Sequence, residues 1–378
     1  MHKNMAHVRI DAVRYLCFGV GGANGWVFVG LWMAIEKEMR RQKTSLQSQI
    51  CGASGASVGS LLALAVVLNY TAIEFCEFLK RCTMKYKSKI RRINVFELAS
   101  KKGILSTEVI GDVVQEMLAQ KLGEEHKTAN LETLYDLTHK EYVVTTHNTS
   151  YERGEVIDCR SFPLLPVHKA VQMSCAIPGI FHAIEHNGCL YTDAGISNGL
   201  PFEVFPLENS LVFNLFGHHG YAHSEEMGLP DFFCRVVHAF DVLTRNKIEA
   251  VPAHLRHHIL TLDVPCLINS ALQGFILTDE DRDRLIHIGL TAGLTLFHYQ
   301  TAVFSQAIVW YMASTANRTP KKEHVALSGD PPLADESNVP CEDTGEFLAD
   351  GAPPMVLEPQ GQSLLHVVRV EPVKQLLP

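Results

Sequence analysis

Gly55-Ala56-Ser57-Val58-Gly59 is the sharpest chemical signal in the chain, a G-x-S-x-G between a strand-like and a helix-like segment. A serine in this pattern can sit on a tight turn with its hydroxyl exposed, because the flanking glycines let the backbone pass without a Cβ clash. Such a hydroxyl is a nucleophile for acyl transfer. Ser54 shares the stretch but has Ala56 where the closing glycine would fall, so Ser57 is the candidate. A second segment, Gly19-Val20-Gly21-Gly22-Ala23-Asn24-Gly25, also follows a strand and precedes a helix. Amides at such a helix start stabilise anions, either a nucleotide phosphate or a developing oxyanion. A dinucleotide fingerprint starting at Gly19 fails at Asn24, no acid stands in Met39–Leu46 to hold a ribose, and there is no G-K-[ST]. An oxyanion hole is the reading that remains. The third segment is Tyr191-Thr192-Asp193-Ala194-Gly195-Ile196-Ser197-Asn198-Gly199-Leu200-Pro201. An aspartate ending an apolar run and followed by small residues can be held rigidly in a cleft; taken alone, it is equally a plain turn aspartate.

The elements that must position these residues follow from apolar patterning. Val13–Phe18 and Ser48–Ala53 read as strands, each followed by a helix, Trp26–Met39 and Val58–Leu68. Helical stretches follow at Thr71–Cys82 and at Thr107–Leu122 behind Ser106 as N-cap, then a strand at Glu141–Thr146. Strand-turn-helix units in this order predict an α/β fold with a central, mostly parallel sheet, and such sheets gather chemistry at the carboxyl ends of their strands.

Composition narrows the function classes. The net charge of −8 over 378 residues argues against a nucleic-acid partner. Residues 319–378 hold ten Asp/Glu against four Lys/Arg, so the tail is acidic and the body nearly neutral. Ten cysteines lie singly without a C-x-x-C, and His254, His257 and His258 lack a carboxylate or Cys at ligand spacing, so neither a disulfide scaffold nor a metal site is expected. Lys3, Arg9, Asp11 and Arg14 interrupt any secretory signal. Asn69 and Asn148 match the glycosylation pattern but are expected to be inert. Thr44–Ile73 and Leu285–Asn317 lack Asp, Glu, Lys and Arg; their internal Gln, Ser and His favour buried helices over membrane spans. Lys80–Lys102 carries nine Lys/Arg and one acid among apolar residues, a candidate contact for an anionic membrane surface or else a solvated loop.

Together the three segments resemble the patatin-like phospholipases over residues 13–235. Ala170-Val171-Gln172-Met173-Ser174-Cys175-Ala176-Ile177-Pro178-Gly179-Ile180-Phe181 is similar to that family's A-x-x-x-S-x-A-I-P-x-x-F segment, and Asn198-x-x-Pro201 to its N-x-P ending. The resemblance implies a three-layer α/β/α fold and a Ser57–Asp193 dyad with no catalytic histidine. It also implies an oxyanion hole at Gly21, Gly22, Ala23 and Asn24, with Gly25, Gly55, Gly59 and Gly195 supporting the motifs. The implied activity is cleavage of fatty-acyl esters of glycerophospholipids, or of another acyl-ester lipid, with neither metal nor cofactor. Three departures stand out: Val20 opens the glycine run, Asn24 replaces a common Arg or Lys, and Ala194 alters D-G-G or D-G-A. They leave open a catalytically weak lipid-binding or interaction protein on the same fold. An α/β-hydrolase lipase is the other alternative, with Ser57, Asp193 and one of His218, His219 or His238 as its triad.

The expected organisation is an N-terminal extension (1–12), the acyl-hydrolase domain (13–235), a helical C-terminal region packed on it (236–318) and an acidic, Pro-rich, disordered tail (319–378). Within the tail, Ser363–Val370 reads equally as a terminal strand or a docking peptide. The expected location is the cytoplasm, with peripheral contact to membranes or lipid droplets. The acidic, Pro-rich tail could serve a protein partner, whose identity the sequence does not give.

Overall fold

The computed structural model describes residues 9–90, 96–218, 227–265, 277–297 and 367–368. Its strands are β1 (Tyr15–Phe18), β2 (Gly52–Ala56), β3 (Gly103–Leu105), β4 (Glu141–Asn148), β5 (Arg153–Ile157), β6 (Gly179–Phe181), β7 (Ile184–His186), β8 (Cys189–Thr192), β9 (Ser210–His218), β10 (Ile259–Pro265) and β11 (Val367–Val368). Its helices are α1 (Trp26–Arg41), α2 (Leu46–Gln49), α3 (Val58–Val67), α4 (Ala72–Ile90), α5 (Glu97–Lys101), α6 (Glu108–Leu122), α7 (Leu131–Thr138), α8 (Val167–Ser174), α9 (Leu229–His238), α10 (Asp241–Glu249) and α11 (Asp279–Phe297).

The main sheet runs β11-β10-β9-β1-β2-β4-β8-β7, with β5 beside β4; β3 and β6 form a separate parallel pair. Every pairing from β11 through β4 is parallel, and the pairings of β4 with β5, β4 with β8 and β8 with β7 are antiparallel, so the sheet is mostly parallel as expected. Side chains alternate between two apolar layers. Leu16, Phe18, Leu211, Phe213, Tyr142 and Val144 join the larger core with α1, α3, α4 and α6. Their neighbours Cys17, Val143, Val212 and Phe216 join a second core with Leu200, Phe202 and Ile248. Helices thus cover both faces, as parallel sheets require.

Two parts differ from the sequence expectations. The strand expected at Ser48–Ala53 is a short helix at Leu46–Gln49, capped by Ser45, followed by a strand at Gly52–Ala56. Gly-Ala-Ser-Gly-Ala carries no β-branched signal, yet every residue of it is buried between β1 and β4, and tertiary pairing overrides propensity. Beyond residue 235, the segment expected to be helical contributes α10 and α11 but also β10, which extends the same sheet beside β9.

The charge-free stretch Leu285–Asn317 is described only to Phe297, where it forms α11 packed along α1; its remainder lies outside the described residues. A Cβ on Gly30 would collide with the Ile286 carbonyl, and one on Gly289 with the Val27 carbonyl, so glycines on both helices permit this close crossing. Among the described residues no helix is long and apolar enough to cross a membrane. The tail also lies outside them except for Val367–Val368, which pair with Thr261 and Leu262 of β10.

Candidate active site

Ser57 occupies the single position between β2 and α3, with φ 53° and ψ −128°. Positive φ in a non-glycine residue is strained and persists only where the surroundings impose it. Here they do. A Cβ at Gly55 would run into the Gly59 carbonyl, and one at Gly59 into the carbonyls of Phe18 and Gly19, so β2, the turn and α3 close on β1 through bare backbone. The Ser57 amide donates to Ser174 Oγ at 2.9 Å, and the Ser57 carbonyl accepts from Ser60 Oγ at 2.6 Å. The turn is fastened on both sides, at the carboxyl end of a central strand.

Asp193 follows β8 and is 2% exposed. Its amide donates to the Ala176 carbonyl at 2.9 Å, and its Oδ1 accepts from the Gly195 amide at 2.8 Å. Oδ2 is buried without a partner at full hydrogen-bond geometry among the described residues, while the Ser57 hydroxyl stands close enough to the carboxyl to interact with it. Burial raises this carboxyl to about 6, while the Ser57 hydroxyl, the Gly195 amide and the charge of His238 pull it down. Ser57 and Asp193, distant in sequence, therefore adjoin. Cys175 lies beside them, its Sγ 3.8 Å from Ser60 Oγ, with its thiol pushed up by burial and by the Asp193 charge.

The segment around Asp193 is strapped to the sheet by side-chain hydroxyls. Thr146 Oγ1 of β4 donates to the carbonyls of Thr192 (2.9 Å) and Met173 (3.1 Å), coupling the ends of β8 and α8. Thr145 Oγ1 reaches Asn198 O and Ser54 Oγ reaches Pro201 O. From α10, Lys247 Nζ donates to Asn198 Oδ1 at 2.8 Å and Leu200 O at 2.7 Å. These bonds explain the Asn198-x-x-Pro201 spacing: both ends of the segment are tethered.

The glycine loop meets both sides. A Cβ at Gly25 would lie 2.8 Å from Val58 Cγ2, and Val20 packs against Gly199 while its amide donates to the Gly199 carbonyl at 2.9 Å. Gly22 has φ +51° and begins a 3-10 turn, Gly22–Gly25, that leads into α1. The amides of Gly19 and Asn24 donate to Phe213 and Gly21 carbonyls. Those of Gly21, Gly22 and Ala23 make no hydrogen bond among the described residues. Asn24 is 8% exposed, and its Oδ1 is buried without a partner among the described residues.

Of the three histidines open to a triad, His219 and the side chain of His218 lie outside the described residues. His238 ends α9, with Nδ1 3.4 Å from Asp241 Oδ2. Lys80–Lys102 is largely paired where it is described: Lys80 with Glu77, Lys85 with Glu116, Lys89 with Asp112 and Lys101 with Glu97. Three positioning groups escaped the sequence reading. Ser174 stood inside a recognised motif without an assigned task, Thr146 had only its place near a strand end, and Lys247 had no local signal at all.

The family description "Patatin-like phospholipase" matches residues 16–206. An uncharacterized protein of Acanthamoeba polyphaga mimivirus is 24% identical over 152 residues, 40% of this chain and 49% of its own length, so the chain spans about half of that curated relative. Among solved structures, VipD from Legionella pneumophila aligns with a TM-score of 0.45 and 14% identity, covering 76% of this chain and 67% of VipD. The ExoU–SpcU complex of Pseudomonas aeruginosa aligns with a TM-score of 0.41 and 13% identity, covering 81% and 59%.

Proposed function

Since the chain belongs to the patatin-like phospholipase family, we propose that it hydrolyses fatty-acyl esters of glycerophospholipids with a Ser57–Asp193 dyad. The observation that carries this reading is the buried, unpartnered Oδ2 of Asp193 beside a strained Ser57. Ser57 Oγ attacks the ester carbonyl while Asp193 Oδ2 takes the hydroxyl proton. The negative oxygen formed is met by the amides of Gly21, Gly22 and Ala23 in the turn that leads into α1, each such donor worth about 2.7–4 kcal/mol in the transition state. Asp193 then protonates the departing glycerol oxygen, and the lysolipid leaves. Water attacks the acyl-Ser57, giving its proton to Asp193; collapse returns that proton to Ser57 and releases the fatty acid. A carboxyl held at about 6 accepts and returns a proton near neutrality more readily than one at 3.8.

An apolar cavity of about 180 Å³ is lined by Gly22, Ala23 and Val58 and by residues of α1, α3, α4 and α6. Its walls include Val29, Leu61, Leu79, Val109 and Val113, which suits a hydrocarbon chain whose ester lies at Ser57.

His238 favours a second reading, a triad, because its charge reaches Asp193. The experiment is fatty-acid release from mixed phospholipid vesicles in EDTA, comparing wild type with Ser57→Ala, Asp193→Asn, and His218→Ala, His219→Ala and His238→Ala. The dyad predicts release by wild type and all three histidine variants, and none by the first two. Loss with any one histidine variant favours the triad; no release by wild type, with vesicle binding intact, favours a lipid-binding protein.

A further inference from the structure

The cavity just described holds one charge among its described lining residues, Arg282 of α11. Arg282 is 7% exposed, and its guanidinium sits 5.5 Å from the ring centroid of Trp26, the first residue of α1 after the glycine loop. The tight crossing of α1 and α11 at Gly30 and Gly289 fixes the relation between the two. The nearest counter-charges are on the solvent side. Arg282 Nη2 pairs with Asp279 Oδ1 at 2.6 Å, but the Asp279 side chain is 89% exposed. Arg282 Nε is 3.9 Å from Asp283 Oδ1 and is buried without a hydrogen-bond partner among the described residues.

A cavity meant only for hydrocarbon gains nothing from this arrangement, because burying a guanidinium costs free energy unless its donors are satisfied. A guanidinium with a free, desolvated N–H is instead suited to an oxyanion, which it can bind through two parallel hydrogen bonds. We propose that Arg282 is the anion-recognising residue of the lipid cleft, binding a lipid oxyanion, the phosphodiester of the substrate or the carboxylate of the released fatty acid. The inference rests on the acyl-hydrolase reading. Arg282 distinguishes charged lipids from uncharged glycerides, and Asp279, sharing the guanidinium, weakens anion binding in the free protein.

The test uses the full chain in detergent micelles, comparing a diacyl phosphatidylcholine with a diacylglycerol of the same chains. Arg282→Met is expected to lower kcat/KM on the phospholipid about tenfold, the loss of one charge-assisted hydrogen bond, and to leave the diacylglycerol within about twofold. Arg282→Lys should fall between. Equal losses on both lipids, or none on either together with an unchanged oleate Ki, overturn the proposal. Oleate inhibition separates the sources: a Ki raised about tenfold by Arg282→Met, with phospholipid kinetics unchanged, assigns the site to the carboxylate. Asp279→Asn provides a variant at an exposed position and should tighten binding of whichever anion Arg282→Met weakens, several-fold; unchanged or weaker binding of that anion contradicts the account. Should wild type hydrolyse neither lipid, hydrolysis itself fails. Binding of oleate and of the diacyl phosphatidylcholine, followed by tryptophan fluorescence in the Ser57→Ala chain, still decides: one of the two must weaken with Arg282→Met, and equal affinity for both overturns the site.

Discussion

Ser57 and Asp193 are held by different kinds of contact. Around Ser57 the close approaches are main chain on main chain, Gly55 against Gly59 and Gly59 against the carbonyls ending β1, with the hydroxyls of Ser174 and Ser60 added to them. Around Asp193 they are hydroxyl and ammonium groups from Thr146, Thr145, Ser54 and Lys247, reaching across from β4, β2 and α10. The first arrangement has no slack, since a methyl group at either glycine must displace backbone. The second is a set of separate bonds, each of which can be lost singly. One region should therefore fail completely when altered, and the other by degrees.

Gly59→Ala should have the largest effect, loss of the folded state, seen as absence of a cooperative thermal transition. A variant that melts like wild type would show that β1 and the turn can separate. Ser57→Ala should fold normally and lose about 10⁴-fold or more of kcat on phospholipid, measured by fatty-acid release.

Asp193→Asn should also lose hydrolysis, but its stability should move the other way. A carboxyl raised from 3.8 to about 6 by burial favours the protonated form in the native state. Its contribution to stability is fully present below pH 3.8 and is lost as pH rises through about 6, a difference of about 3 kcal/mol. At pH 7 the neutral amide escapes that penalty. Asp193→Asn should consequently raise the melting temperature at pH 7 and lose the advantage at pH 4; a lower melting temperature at pH 7 would mean that the ionised carboxylate is itself a structural bond.

Thr146→Val removes one donor from two carbonyls and should cost about 1–3 kcal/mol in denaturant titration, with kcat reduced but measurable. Unaltered kcat would mean that β8 and α8 hold Asp193 without the tether. The smallest expected effect concerns Lys80–Lys102. With Lys80, Lys85, Lys89 and Lys101 already paired to acids, replacing Arg81 and Lys102 by Gln should weaken vesicle binding by about 1 kcal/mol each, only with phosphatidylserine and only at low salt. Binding indifferent to both removes this segment from membrane contact.

The same contrast governs what could be read from the sequence. The Ser57 turn was legible because its pattern is local: two glycines flank one serine within five residues, and Gly55 avoids Gly59 itself, although Gly59 in turn avoids the distant carbonyls of Phe18 and Gly19. The strand before it was misplaced by a few residues because Gly52–Ala56 owes its extended form to β1 and β4 rather than to its own side chains. Asp193 was legible only in company with the other segments. Its burial and its free Oδ2 depend on α8, β4 and α10, which meet only in three dimensions. Lys247 and Arg282 illustrate the limit, since each acts on a segment far away in sequence and neither belongs to a motif.

The central claim is that buried Asp193 activates Ser57. Its most direct test is the rate at which a long-chain fluorophosphonate modifies the wild-type chain, followed by intact mass and peptide mapping from pH 4 to 9. The adduct should lie on Ser57, form with a rate that rises through about pH 6, and be absent with Asp193→Asn. Modification of another residue, or a Ser57 rate unchanged by Asp193→Asn, would contradict it.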